Sequence, residues 1–136
     1  LIHKLELKDV VNFNHGISEQ KISELYCSAD IAVIPSLYEG FGFGAAEAMA
    51  CALPVISTKS GGLAEVIGDA AYPVESSSSK DISEAVISLF NNPVKKKSLS
   101  EKGLDRMQKK FSWENTAELT VRAYLKAIDR FNEGTL

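Results

Sequence analysis

The chain has 136 residues, 45% of them apolar and 24% charged, values ordinary for one folded domain and too apolar for a disordered segment. A formal net charge of -3 and an isoelectric point of about 5.4 exclude a broad nucleic-acid-binding surface. No apolar run approaches the roughly 20 residues that cross a bilayer; a cytoplasmic location is expected, with any membrane-contacting surface carried by another part of a longer polypeptide.

His3 opens the chain as a surface residue, and Val10 to Phe13 reads as a first short strand. The loop Asn14 to Ile17 follows, then a helix through Tyr26 with Ser18 as its N-cap. Ile31 to Pro35 is a second strand, closed by proline. After it come the glycine-spaced run Glu39-Gly40-Phe41-Gly42-Phe43-Gly44-Ala45-Ala46-Glu47 and a segment of helix formers through Met49 and Ala52.

Val55 to Thr58 and Ala71 to Val74 are two further strands, separated by a second glycine turn, Gly61-Gly62, that opens a helix from Leu63. Ser76 to Ser79 is a polar connection, and Ser79 or Asp81 caps a helix from Ile82 to Phe90 that Asn91-Asn92-Pro93 stops. Lys95-Lys96-Lys97, at a helix start, reads as a solvated face and is assigned no site. The last helix runs from Glu114 to about Phe131, within a single domain taken as residues 1–136.

Alternating strands and helices predict an α/β, Rossmann-like parallel sheet flanked by helices. In such sheets ligands gather outside the carboxyl ends of the strands, so the Asn14 to Ile17 loop and the Glu39 to Gly44 loop are expected to converge on one mouth. Cys27 and Cys51 have no metal or redox spacing and are expected to be buried free thiols.

The chemistry is concentrated in the first glycine loop. The first amides of a helix lack internal partners and carry the positive end of the peptide dipoles, so an anion placed there gains donors and charge complementarity. Gly40, Gly42 and Gly44 allow close backbone approach, and the carboxylates Glu39 and Glu47 can each accept from a pair of neighbouring hydroxyls. A phosphorylated sugar presents both features. Local grounds leave a simpler alternative open, in which Glu47 complements the helix dipole and Glu39 is solvated. The Gly61-Gly62 turn likewise either faces an anion or is a plain tight turn.

The run Pro35-Ser36-Leu37-Tyr38-Glu39-Gly40-Phe41-Gly42, then Glu47-Ala48-Met49-Ala50-Cys51, Pro54-Val55-Ile56, Gly61-Gly62 with Glu65-Val66, and Ser112-Trp113 before the Tyr124 helix resembles the C-terminal, donor-binding lobe of retaining GT-B glycosyltransferases, in particular glycosyltransferase family 4. The resemblance covers nearly the whole chain. It implies that Glu39 contacts the donor sugar as the catalytic-site acid and that Glu47 holds the ribose of the nucleotide. Backbone amides of Gly40, Phe41 and Gly42 would meet sugar and phosphates, Gly16 and Ile17 would lie near the base, and Gly61 and Gly62 near the donor. It implies no metal and no cofactor beyond the nucleotide-sugar donor substrate, front-face retention without a protein nucleophile, and an acceptor used in polysaccharide or glycolipid synthesis.

Departures from the pattern carry expectations of their own. His15 stands where the family has glycine, with Gly16 one residue later, so the base-side loop is altered and His15 is either a polar loop residue or a base contact. Ala52 replaces a glycine after the motif helix, costing about 1 kcal/mol if the position is left-handed. The chain begins at Leu1 and holds no segment resembling the lobe's opening strands, its diphosphate-clamping basic residue or the other lobe. It is therefore expected to be a fragment lacking its N-terminal acceptor-binding lobe and inactive by itself. Its last helix, deprived of that lobe, is expected to drive self-association. A non-catalytic nucleotide-sugar-binding module is the alternative, and a dinucleotide-binding Rossmann domain is disfavoured because no G-x-G-x-x-G follows an opening strand.

Overall fold

The computed structural model describes residues 1–134; the last two residues of the expected domain, 135 and 136, lie outside the described residues. Among the described residues, six helices, α1 (Glu19–Ser28), α2 (Phe43–Ala50), α3 (Leu63–Ile67), α4 (Ser79–Phe90), α5 (Pro93–Lys110) and α6 (Trp113–Asn132), accompany three strands, β1 (Ala32–Ile34), β2 (Val55–Ser57) and β3 (Tyr72–Pro73). The strands form one parallel sheet in the order β1-β2-β3, with Ala32 opposite Val55 and Ile56 opposite Tyr72. This is the expected parallel α/β architecture.

The central strand β2 is buried throughout, and its alternating side chains divide the core into two layers. Val55 enters a cluster with Met49, Leu63, Val66, Ile67 and Met107, whereas Ile56 faces Ala85, Leu89 and Leu99 on the other side. A strand covered on both faces reads as a continuous apolar run, which is what Pro54-Val55-Ile56 presents. Gly103 lets α5 cross close to α2, since a Cβ there would lie 3.0 Å from Met49 Cγ.

Helix ends follow sequence closely. The hydroxyls of Ser18 and Ser112 and the amide oxygen of Asn92 accept from the backbone N–H three residues on, at 3.3, 3.1 and 2.9 Å. Pro93 then occupies the first turn of α5, where its missing N–H costs nothing. At α4 the cap is Ser78, not Ser79 or Asp81; the Asp81 amide donates to its hydroxyl at 3.1 Å.

Val10 to Phe13 is not a strand. The amides of Val10 and Val11 donate back to the Leu7 carbonyl, at 3.3 and 3.1 Å, in local turns, and Val10 and Phe13 are exposed. An extended segment needs a ladder partner to retain its shape, and these donors are already spent on neighbours three and four residues away. The thiols also differ from expectation, Cys27 being exposed and Cys51 half-buried. Lys96 reaches Asp30 at 2.6 Å and the Lys95 ammonium sits 4.0 Å from the centre of the Tyr72 ring, so only part of the lysine run is a free solvated face.

Candidate functional site

The glycine loop leaves β1 at its carboxyl end and enters α2 through Gly42, whose φ of 103° places it in the left-handed region. A Cβ there would lie 2.6 Å from Leu63 Cδ1, so a larger residue would both strain the backbone and displace the end of the Leu63 side chain. Phe43 to Ala50 then form an eight-residue helix without any side-chain cap on its N-terminus. Its first amides are therefore directed at the loop mouth, as anion binding requires.

Glu39 is held from two sides. Its carbonyl accepts from the Gly62 amide at 2.9 Å, and its carboxylate accepts from the Ser36 hydroxyl at 3.4 Å. Ser36 is itself fixed, because the hydroxyls of Thr58 and Ser60 donate to its carbonyl at 2.7 and 2.8 Å. These hydroxyls stand just beyond the carboxyl end of β2. Nothing in the sequence marks this role, since a Ser/Thr run after a strand has no local signature for a partner more than twenty positions away.

The second glycine turn closes against the first loop. Gly61 adopts φ 58°, and a Cβ on Gly61 would collide with the Glu39 carbonyl. A Cβ on Gly62 would meet the Gly40 carbonyl carbon at 2.9 Å and Phe41 Cα at 3.2 Å. Gly61 and Gly62 therefore sit beside Glu39, Gly40 and Phe41. The Gly62 amide is engaged with Glu39, so this turn serves first to pin the loop.

Glu47 occupies different surroundings. It lines a hollow of about 420 Å³ with Asn14, Gly16, Ile17, Ile22 and Tyr26. A neighbouring hollow of about 600 Å³ adds Ser23, Cys51 and Trp113 to the same Glu47–Tyr26 pair. Gly16 takes φ 62°, turning the chain towards the N-cap of α1. Burial, followed by the charge of Glu47, pushes the Tyr26 hydroxyl above its ordinary value, with Cys51 and a hydrogen bond to Glu47 adding to the rise. His15 lines neither hollow and stacks with Phe13, ring centres 6.3 Å apart.

The expected residues thus form two groups. Gly16, Ile17 and Glu47 come together across α1 and α2, while Glu39, Gly40, Phe41, Gly42, Gly61 and Gly62 assemble at the ends of β1 and β2. Glu39 lines neither of the Glu47 hollows, so the single mouth expected for both loops is not enclosed by these residues alone. The cause is helical geometry: Glu47 lies beyond the first turn of α2 and faces α1, whereas Glu39 precedes the helix and faces the Gly61-Gly62 turn.

This parallel sheet, with glycine loops at the carboxyl ends of its strands, matches solved glycosyltransferase structures of the GT-B fold. The chain superimposes with a TM-score of 0.83 on sucrose-phosphate synthase from Thermosynechococcus elongatus, at 29% identity, covering 94% of this chain and 33% of that one. Anabaena Alr3699/HepE, solved in complex with UDP-glucose, shares the fold with a TM-score of 0.73 at 22% identity, over 79% of this chain and 30% of that one. Residues 1–106 match the family model of the glycosyl transferases group 1, and the chain belongs to that family. Among curated relatives it is 36% identical to the MMP alpha-(1->4)-mannosyltransferase of Mycolicibacterium hassiacum, over 96% of this chain and 32% of the relative. The chain therefore spans about a third of the length of that relative.

Proposed function

We propose that this chain is the nucleotide-sugar-binding part of a retaining glycosyltransferase of the family 4 type. The complete polypeptide transfers a hexosyl group from a nucleoside-diphosphate sugar to a polysaccharide or glycolipid acceptor, without a metal ion. The observation that carries the reading is the placement of Glu47 on a hollow beside Gly16 and Ile17, with the uncapped N-terminus of α2 one turn away.

In this reading Glu47 accepts from the two ribose hydroxyls, and the base lies over Gly16 and Ile17. The diphosphate faces the amides around Gly40, Phe41 and Gly42, where helix dipole and free donors favour negative charge. Glu39 meets the hydroxyls of the sugar, its loop held rigid by Ser36 and Gly62. The two groups of residues then read opposite ends of one extended ligand, and the wall joining them comes from the acceptor-binding lobe. That a fold neighbour was solved with UDP-glucose supports this class of donor. The 136 residues alone bind donor but transfer nothing.

Titration calorimetry with uridine, guanosine and adenosine diphosphates tests the reading. A charged hydrogen bond contributes about 1.5–3 kcal/mol, so Glu47→Ala is expected to weaken binding of the preferred diphosphate about tenfold to more than a hundredfold. Glu39→Ala should leave diphosphate binding unchanged and weaken only the sugar-bearing donor. Unaltered diphosphate affinity in Glu47→Ala would refute the assignment. Sugar transfer by the complete polypeptide, undiminished by a chelator, separates an enzyme from a non-catalytic binding module.

A further inference from the structure

We propose that the crevice between the carboxyl ends of β2 and β3 is a second saccharide site, which takes a neutral, hydroxyl-rich unit of an oligosaccharide beside the donor. The chain leaves β2 through Lys59 and Ser60 and leaves β3 towards Glu75, and α4 contributes Asp81 and Glu84; with Tyr72 these residues line a cavity of about 490 Å³. That size falls among small-molecule clefts, which span about 300–1,000 Å³. Neither Glu39 nor Glu47 lines it.

The walls of this cavity are fixed by hydrogen bonds. The Val74 amide donates to the Ser57 carbonyl at 3.1 Å, which carries the β2–β3 pairing up to the residue before Glu75. Asp81 is placed by the N-cap of α4, its amide donating to the Ser78 hydroxyl at 3.1 Å. The Lys95 ammonium, reaching across from α5, lies 4.0 Å from the centre of the Tyr72 ring. The Ser60 hydroxyl donates to the Ser36 carbonyl at 2.8 Å, and the Ser36 hydroxyl donates in turn to the Glu39 carboxylate. Ser60 thus belongs both to the cavity and to the support of Glu39.

The lining selects the ligand. Glu75, Asp81 and Glu84 outnumber Lys59, so a phosphate or other anion is repelled, while Lys59 in the same wall opposes a second ammonium. The acids do not converge on a point either: among the described residues no group of three His, Cys, Asp or Glu side chains is placed to hold a metal ion. Carboxylates spread around a cavity can each accept from a pair of neighbouring hydroxyls, and Lys59 and Ser60 can donate to sugar oxygens. Lys80 meets Glu84 only at 3.8 Å in an exposed pair, which leaves that carboxylate with accepting capacity. A neutral sugar ring supplies both kinds of partner. Ligands of open parallel sheets lie in crevices outside the carboxyl ends of the strands; Glu39 follows β1, and this cavity opens at the next pair of strands. Its occupant is then an outlying unit of the acceptor, an assignment that rests on the reading of Glu39 as the acid facing the donor sugar, whereas saccharide binding itself does not.

The test is a titration of the isotope-labelled chain with maltotriose, mannotriose and cellotriose, followed by amide chemical shifts, with and without saturating UDP-glucose. At least one of the three should move the amides of Ser60, Val74, Glu75 and Asp81 saturably under both conditions. Glu75 is exposed, so Glu75→Ala leaves the core intact; loss of a charged hydrogen bond should weaken the saccharide about fivefold or more, with UDP-glucose affinity unchanged. Saccharide shifts that persist although UDP-glucose fails to bind would refute the donor reading and still establish this site. The proposal is overturned if no saccharide moves these amides, if inorganic phosphate or spermine alone moves them, or if UDP-glucose displaces the saccharide.

Discussion

Tyr26 is the side chain through which burial and the charge of Glu47 are read out together. Its hydroxyl is pushed above the ordinary tyrosine value by burial first, then by Glu47. Above the unfolded value of about 10, the unfolded chain has released a proton that the folded chain retains, so stability falls as pH rises through that range. Tyr26→Phe should remove this contribution. Melting temperatures measured from pH 8 to 11 should fall less steeply for the variant than for the parent; parallel curves would show that folding does not raise the hydroxyl above its unfolded value.

Ala52 shows what a single residue can reveal in advance. Ala52 stands where the family resemblance leads glycine to be expected, and the backbone there is left-handed, with φ 54°. The Leu53 amide donates to the Ala48 carbonyl and the Ala52 amide to Met49, both at 3.0 Å, completing a Schellman end to α2. Relief of the left-handed strain exceeds the entropy cost of glycine, so Ala52→Gly should stabilise the protein by about 0.5–1 kcal/mol. A urea midpoint that moves up at constant slope would show it. Glu39 and Glu47 were equally legible as chemistry, but their separation was not, because the direction of a helical side chain depends on where the helix begins.

At the scale of elements, local signals were transmitted and nonlocal ones were lost. The runs Ile31 to Pro35, Val55 to Thr58 and Ala71 to Val74 contain β1, β2 and β3, Ser18 marks a helix start and Asn91-Asn92-Pro93 the stop after Phe90, since each rests on residues adjacent in sequence. Val10 to Phe13 looked equally strand-like, yet its fate depended on a ladder partner that no sequence window contains. Arg106 was invisible for the same reason. From near the C-terminal end of α5 it donates to the Val66 and Glu65 carbonyls at 2.7 and 2.6 Å, closing the end of the five-residue helix α3. A helix so short has little stability of its own. Arg106→Met keeps the apolar stem but leaves those carbonyls without their donor, and should cost about 1–3 kcal/mol. Amide exchange in Leu63–Ile67 should quicken more than in β2; uniform loss of protection would mean that Arg106 acts on global stability instead.

At the scale of the whole molecule, the core and α6 tell different stories. The two apolar layers on β2 are closed by α2 and α3 on one side and by α4 on the other, with α5 reaching both. Helix α6 has 20 residues and none is buried, although Val121, Tyr124, Leu125, Ile128 and Phe131 recur at helical spacing along it. No helix among the described residues is long and apolar enough to cross a membrane, so this stripe is not a spanning segment. Apolar area left in water favours association by about 25 cal/mol per Å² buried, and a second copy of the same stripe offers a self-complementary surface of the kind that closes a two-fold dimer. The weight-average mass from sedimentation equilibrium should therefore rise with concentration. Leu125→Glu combined with Ile128→Glu should return it towards the monomer without lowering the melting temperature, because neither side chain contributes to the core. A parent chain that remains monomeric across the same concentrations would show that α6 tolerates its exposure.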